Sequence, residues 1–514
     1  MRTVSLAVPL VCLLSACSSP YRMSGAPAIA TAPEPSTGED YTDYGKNPWL
    51  AVSEHPRSTF AADVDTASYA IGRRKLGEGT LPPQASVRVE EWVNYFKYSI
   101  PSATAGSVFG VAIDAAPSPF AVVASEAGPG TIARYVMRVG VGTRAKTPGE
   151  RKPASLVFLV DVSGSMDMPD KFPLVKQALH VLTANLTNKD EVALVTYAGE
   201  SRLVLPMTSI AHRAEIDRAI DELRVGGSTA MASGIDMAYE QAIATVQPGH
   251  ISRVIVCTDG DANVGPASHD EILQLIGKRA AAGVTLSTIG FGMGNYKDAL
   301  MEQLADRGNG NNYYIDSLDM AKRVFAEQLT STLEVAARDV KLQVEFDPAR
   351  VARYRLMGYE NRAVADSDFR KDVPAGQVGW GHQVTAVYEL ELASATGASS
   401  AAAGPLGRVR IRHRAPEGDG VAEEAFEMAA APAAAFADAS PDLRFAFAVA
   451  AFADVLRGGP DAQSWPLADI RAIAADAASD GDRQELVAMI DRAIALGGGA
   501  KTATAAKTAT AIAK

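Results

Sequence analysis

Three short polar stretches hold the side chains best suited to chemistry: Asp161-Val162-Ser163-Gly164-Ser165-Met166, Gly226-Gly227-Ser228-Thr229 and Thr258-Asp259-Gly260. Asp161, Ser163 and Ser165 fall on alternate positions, while Thr229 and Asp259 add a hydroxyl and a second carboxylate. All five offer oxygen. Oxygen donors from separate loops suit a hard divalent cation, Mg²⁺ foremost, with Mn²⁺ or Ca²⁺ also compatible. Each stretch alone also has a plain structural reading, Ser228 or Thr229 as a helix cap and Asp259-Gly260 as a turn. Their order and context together favour the metal.

Such a cluster needs a scaffold that brings the stretches together. Between residues 154 and 337, apolar runs at 156–160, 192–197, 254–258, 284–289 and 313–315 alternate with helical spacing near 172–186, 211–223, 231–246, 269–282, 297–306 and 318–336. Continuous apolar strands separated by helices predict a doubly wound, mainly parallel α/β sheet covered on both faces. Sheets of this class bind ligands beyond the carboxyl ends of their strands. The first stretch follows run 156–160, the third closes run 254–258 and the second precedes a helix, so all three are expected on that edge.

Outside this unit the period changes. Val108–Ile113, Tyr135–Val141, Val340–Phe346, Val384–Leu392 and Arg408–Arg412 alternate apolar and polar residues, as half-buried strands do. Residues 107–150 and 338–413 are therefore predicted as two parts of one β-sandwich with the α/β domain inserted between them. Short links suffice, because the termini of a compact domain often lie close together. Residues 47–100 predict an N-terminal helical region, two short helices around Leu81-Pro82-Pro83, and residues 440–496 a C-terminal helical region led by Leu443, Phe445, Phe447, Val449, Phe452 and Leu456. The Ala/Thr/Lys repeat at 497–514 predicts a disordered tail.

The 514 residues are 47% apolar and carry a formal net charge of -11, a poor match to phosphate backbones, so nucleic acid is not an expected partner. Beyond the first twenty residues no apolar run approaches the length of a bilayer span. Met1-Arg2-Thr3, the apolar run Val4–Leu14 and the small residues that follow read as an export signal over residues 1–16. Leu14-Ser15-Ala16-Cys17 resembles the lipobox of bacterial lipoproteins, which implies cleavage before Cys17 and lipidation of that residue with enough acyl chains for stable anchoring. Residues 17–46, rich in Pro, Ser, Thr and Ala, then form a flexible tether. Ser18, standing where lipoprotein sorting reads an Asp, favours the outer membrane, facing the periplasm. Of three cysteines, Cys12 leaves with the signal and Cys17 takes lipid, so Cys257 has no partner for an internal disulfide and is expected to pack within a buried strand.

Enzyme readings lack their residues. The seven histidines are dispersed, no His-Glu-x-x-His or Gly-x-Ser-x-Gly pattern occurs, and a phosphotransferase opening Asp-x-Asp would need a carboxylate at Ser163. Gly290-Phe291-Gly292-Met293-Gly294 follows a strand, but Asn295 stands where the dinucleotide fingerprint needs its third Gly.

With its three loops in order, the chain resembles a von Willebrand factor type A domain with a metal-ion-dependent adhesion site. Asn47-Pro48-Trp49-Leu50, Asp63-Val64-Asp65-Thr66-Ala67-Ser68-Tyr69, Gly358-Tyr359-Glu360-Asn361-Arg362 and Gly381-His382-Gln383-Val384 are similar to the flanking regions of a bacterial family of von Willebrand A lipoproteins. The resemblance implies a Rossmann-like A domain at residues 154–337. It implies direct metal ligation by Ser163, Ser165 and Thr229, with Asp161 and Asp259 acting mainly through water. It further implies a protein partner offering an acidic residue to the metal, and a last helix, here 318–336, that moves when the site fills. The expectation is a non-enzymatic cell-envelope lipoprotein that binds this partner; the alternative is a structural envelope protein whose metal site only stabilises the fold or is vestigial. Asp63 and Asp65 are expected in caps or interdomain contacts.

Overall fold

Every residue of the strand Ala154–Asp161 is buried, and successive side chains divide between two cores. Leu156, Phe158 and Val160 join the cluster that holds Val175, Leu179, Ile216, Ile220 and Val324, whereas Val157 and Leu159 join Met231, Ile235, Ile272, Ile276 and Met301. A strand apolar on both faces requires helices on both sides, which is why this segment lies at the centre of a doubly wound sheet. The computed structural model describes residues 41–497, apart from 63–64, 105, 121–133, 228–230, 261–268, 293–297, 374, 394–404, 417, 419 and 429–431.

The central sheet has the strand order Asn312–Ile315, Val284–Phe291, Ile251–Thr258, Ala154–Asp161, Glu191–Tyr197, Ser201–Ser209. The first five run parallel and the last is antiparallel. Strand order reverses beside Ala154–Asp161: the chain continues to one side through Glu191–Tyr197 and Ser201–Ser209, then returns to its other side at Ile251–Thr258, and this is the switch point where α/β sheets open a crevice. The strand Ser201–Ser209 is an addition to the expected set: it lies at the sheet's edge, half exposed and interrupted by Pro206, so it has no apolar run to announce it.

The flanking strands form two five-stranded sheets that share one core, with Phe60, Phe109, Met137, Val139, Leu342, Val344, Tyr354, Tyr388, Val409 and Ile411 between them. One sheet contains Phe109–Pro117 and Arg134–Thr143 from before the α/β unit together with Gln383–Leu392 and Val351–Met357 from after it. The α/β unit is thus inserted in a β-sandwich. Two strands lie in the stretch read as purely helical: Leu50–Ala51 adds to one sheet and Arg57–Ala61 to the other, with Phe60 opposite Leu342. Strands of two and five residues are too short to establish a period. The sandwich also continues past residue 413, where Val421–Glu427 pairs with Gly407–Arg414; its largely polar sequence suits an exposed edge.

Helices Ala67–Gly77 and Val89–Asn94 flank the Pro82-Pro83 turn as expected. They pack with Pro441–Leu456, whose N-cap Ser440 accepts the Leu443 amide at 3.0 Å, and edge-on contacts of Trp92 with Phe452 and of Phe96 with Phe445 join the two regions. Leu467–Asp476 and Gly481–Ala495 complete this layer. The last helix of the α/β unit is shorter than expected and not continuous: α-helix Leu318–Lys322 widens into a π turn over Arg323–Glu327, then resumes at Leu329–Leu333 before the strand that begins at Val335. From the π turn, Arg323 donates to the Tyr95 carbonyl at 2.6 Å and pairs with Asp482. Among the described residues no helix is long and apolar enough to cross a membrane. The signal, Cys17, the tether up to residue 40 and the tail from 498 lie outside the described residues.

Candidate metal centre

Parallel pairing in register puts Val160 beside Cys257 and Asp161 beside Tyr197, so the first and third polar stretches leave the sheet side by side. Asp161 is fully buried and turns back on its own loop: one carboxylate oxygen accepts the Ser163 amide at 2.9 Å, and the other accepts the Thr258 hydroxyl at 3.0 Å and the Tyr197 phenol at 3.2 Å. The loop then curls through a 3₁₀ turn, Gly164–Met166, which brings the Ser163 and Ser165 hydroxyls to 3.0 Å from one another. Ser163 is buried and Ser165 half-buried. The Gly226 amide donates to Val162 O at 2.7 Å and the Gly164 amide to Gly227 O at 3.2 Å, tying the second stretch to the first. Thr229 itself, with Ser228, lies outside the described residues.

Asp259 is fully buried beside this loop, and its carboxylate accepts the Lys171 ammonium at 2.9 Å. Lys171 also donates to the Ser165 carbonyl at 3.0 Å. Burial pushes the Asp161 carboxyl above its ordinary value; hydrogen bonds from Ser163 oppose that, and the Asp259 charge adds to it. Burial likewise raises the Tyr197 phenol, with the Asp161 charge contributing. Two hydroxyls in contact, backed by two buried carboxylates that repel one another, form a hard oxygen set that fits Mg²⁺, Mn²⁺ or Ca²⁺. Among the described residues no three His, Cys, Asp or Glu side chains gather as a metal cluster.

Four of the five expected site residues, Asp161, Ser163, Ser165 and Asp259, therefore fall in one place. Lys171, Tyr197 and the Thr258 hydroxyl are additions. Thr258 sits within the third motif and was open to detection; Lys171 and Tyr197 carry no signal, since a lysine before a helix and a tyrosine ending a strand are ordinary. Asp65 lies in an interdomain contact, accepting from the Asn312 amide at 3.0 Å and from Arg362 at 2.9 Å, while Asp63 falls outside the described residues. Cys257 is buried, its thiol pushed up to about 12 by burial.

Residues 155–327 match the von Willebrand factor type A domain, residues 35–124 a family described as von Willebrand factor, and residues 331–496 the C-terminal region of the uncharacterized protein YfbK. The chain is 36% identical over 506 residues to uncharacterized protein YfbK of Escherichia coli (strain K12), covering 92% of this chain and 85% of that one. The chain belongs to the YfbK family of bacterial von Willebrand A proteins. A second relative, the uncharacterized protein sll0103 of Synechocystis sp., is 26% identical over 212 residues, 41% of this chain and 49% of that one. Among solved structures, von Willebrand factor type A from Catenulispora acidiphila aligns over 77% of this chain and 89% of that one at 18% identity, with a TM-score of 0.41. In this YfbK-family chain the type A match contains all five candidate residues.

Proposed function

We propose that this chain is a cell-envelope binding protein whose type A domain presents a divalent cation, Mg²⁺ foremost, to an acidic side chain of a protein partner. The observation that carries the reading is the meeting of Asp161, Ser163, Ser165 and Asp259 at the sheet's switch point, with the two serine hydroxyls 3.0 Å apart. Ser163, Ser165 and Thr229 would hold the ion directly, and Asp161 and Asp259 would hold its water. When bound, the ion supplies a positive charge that the hydroxyls do not cancel. The protein's own part is to fix the two hydroxyls through the Asp161–Ser163 hydrogen bond and to bury the carboxylates so that their charge acts inward on the ion. This is binding chemistry, and the reading assigns the chain no catalytic step.

Replacing Ser163 and Ser165 together with Ala is expected to abolish metal-dependent capture of the partner by the full chain while leaving its thermal unfolding in chelator unchanged. Capture that persists in chelator rejects the mechanism. The proposal includes export and lipidation at Cys17, with the protein held in the outer membrane facing the periplasm. Metabolic labelling with a palmitate analogue is expected to mark the wild-type chain but not Cys17→Ser; equal labelling of both removes the anchor from the reading. One observation favours the second reading, a structural envelope protein: Lys171 already supplies Asp259 with a positive charge, so the loops are partly compensated without an ion. Mg²⁺-independent capture would favour that reading.

A further inference from the structure

Lysine is among the residues least often buried, yet the Lys171 side chain is only 3% exposed. Its placement is constructed on two sides. At its tip the ammonium spans the candidate centre, donating to the Asp259 carboxylate at 2.9 Å and to the Ser165 carbonyl at 3.0 Å, so that it links the third polar stretch to the first. Along its stem it lies over Gly292, where any Cβ would overlap the lysine methylenes. Gly292 has φ of +76°, and its carbonyl is held by the Tyr314 phenol at 2.6 Å. The glycine run at 290–294, which does not complete a dinucleotide fingerprint, thus has a local use: Gly292 leaves room for a lysine directed at the metal loops.

We propose that Lys171 is a built-in cation of the adhesion site that weakens its hold on the metal and strengthens its attraction for the partner's carboxylate. The inference rests on the proposed metal site. Formally, the Lys171 ammonium cancels one of the two charges of Asp161 and Asp259, leaving one net negative charge on this trio, and a divalent ion turns this to one net positive charge. Without the lysine the same ion is fully neutralised by Asp161 and Asp259, and an incoming carboxylate meets no excess charge. The lysine therefore trades metal affinity for ligand attraction. It is a positioning residue, acting on the ion through Asp259 and the Ser165 carbonyl. A merely structural lysine gives the opposite sign, because its removal would loosen the loops and lower metal affinity.

The test is calorimetric titration of Mg²⁺ into the full chain, comparing wild type with Lys171→Met and Lys171→Gln; the glutamine keeps a donor for the Ser165 carbonyl if the methionine variant fails to fold. A charge beside a carboxylate changes its affinity for a competing proton by one to three decades, so Mg²⁺ affinity is expected to rise about tenfold or more in a folded neutral variant. Mg²⁺ binding by a neutral variant alone, with none by wild type, overturns both the inference and the proposed metal site, because the lysine then excludes the ion rather than tuning it. Wild-type binding with equal or weaker affinity in the folded variants overturns it and leaves the metal site standing. Absence of binding in all three chains overturns both.

Discussion

Two regions of this protein bury carboxylates completely, and they treat them in opposite ways. Where helix Pro441–Leu456 meets the sandwich, both oxygens of Asp454 accept from guanidinium groups, Arg457 at 2.7 Å and Arg355 at 2.9 Å. Arg355 also donates to Glu389 at 2.7 Å, and Arg457 to Glu360 at 3.0 Å. Burial raises the Asp454 carboxyl, but Arg355 and Arg457 outweigh it and hold the group below its ordinary value. At the candidate metal centre Asp161 faces an amide, a threonine hydroxyl and a phenol, and burial prevails, raising it. Fork-shaped cations neutralise Asp454 from within the first cluster, although burial still raises its Glu389. The second is left with hydroxyls and one ammonium, a state that a divalent ion can complete. Buried charge at Asp454 thus serves cohesion, while at Asp161 it suits the proposed binding role.

The comparison breaks most easily at Asp454. Asp454→Ala removes the carboxylate shared by Arg457 and Arg355, leaving each with one hydrogen-bonded acidic partner, Glu360 or Glu389, in the interior, and is expected to cost about 3–5 kcal/mol in denaturant unfolding. A cost near that of an exposed pair would place the cluster outside the cohesive core. Because the folded carboxyl is held below its unfolded value, its contribution is present above the ordinary aspartate pKa of about 3.9 and is lost as pH falls through the depressed value. The wild type is accordingly expected to lose stability in acid more steeply than Asp454→Asn, as read from unfolding midpoints across pH.

At the other region the effects on stability are smaller and the effects on metal larger. Gly292→Ala forces an alanine into the left-handed region and against the Lys171 stem, at a cost of about 1–3 kcal/mol. It is also expected to shift Mg²⁺ affinity upward, as the neutral Lys171 variants do; an unchanged affinity would separate the glycine from the lysine's placement. Asp161→Asn keeps an acceptor for the Ser163 amide and removes a charge that burial disfavours, but its amide nitrogen meets the Thr258 hydroxyl and the Tyr197 phenol, so in chelator it is expected to cost about 1–3 kcal/mol. Wild type is expected to gain about 2.7 kcal/mol with Mg²⁺ at one hundred times its dissociation constant, and Asp161→Asn much less. If Asp161→Asn unfolds as readily as Asp454→Ala, the two regions do not differ as described.

Much of the site is legible in the amino-acid order because its chemistry is local. Asp161, Ser163 and Ser165 share one turn, and Thr258 and Asp259 end one apolar run, so strand context alone assigns them to the same sheet edge. The doubly wound sheet and the inserted sandwich are legible for a similar reason, since fully buried and half-buried strands have different periods. Ser201–Ser209, Arg57–Ala61 and Val421–Glu427 are not, being short, polar or exposed at an edge, where packing by neighbours rather than their own pattern makes them strands.

By itself, then, the sequence determined which oxygen-bearing side chains meet at the candidate centre and which segments form the sheet that carries them, because turn chemistry and hydrophobic period act over a few residues. Only the tertiary structure decided that Lys171 reaches Asp259 across 88 positions of chain and that Arg355 meets Asp454 across 99. A buried charge is stabilised by whatever partner the fold brings to it, and no local pattern records that partner.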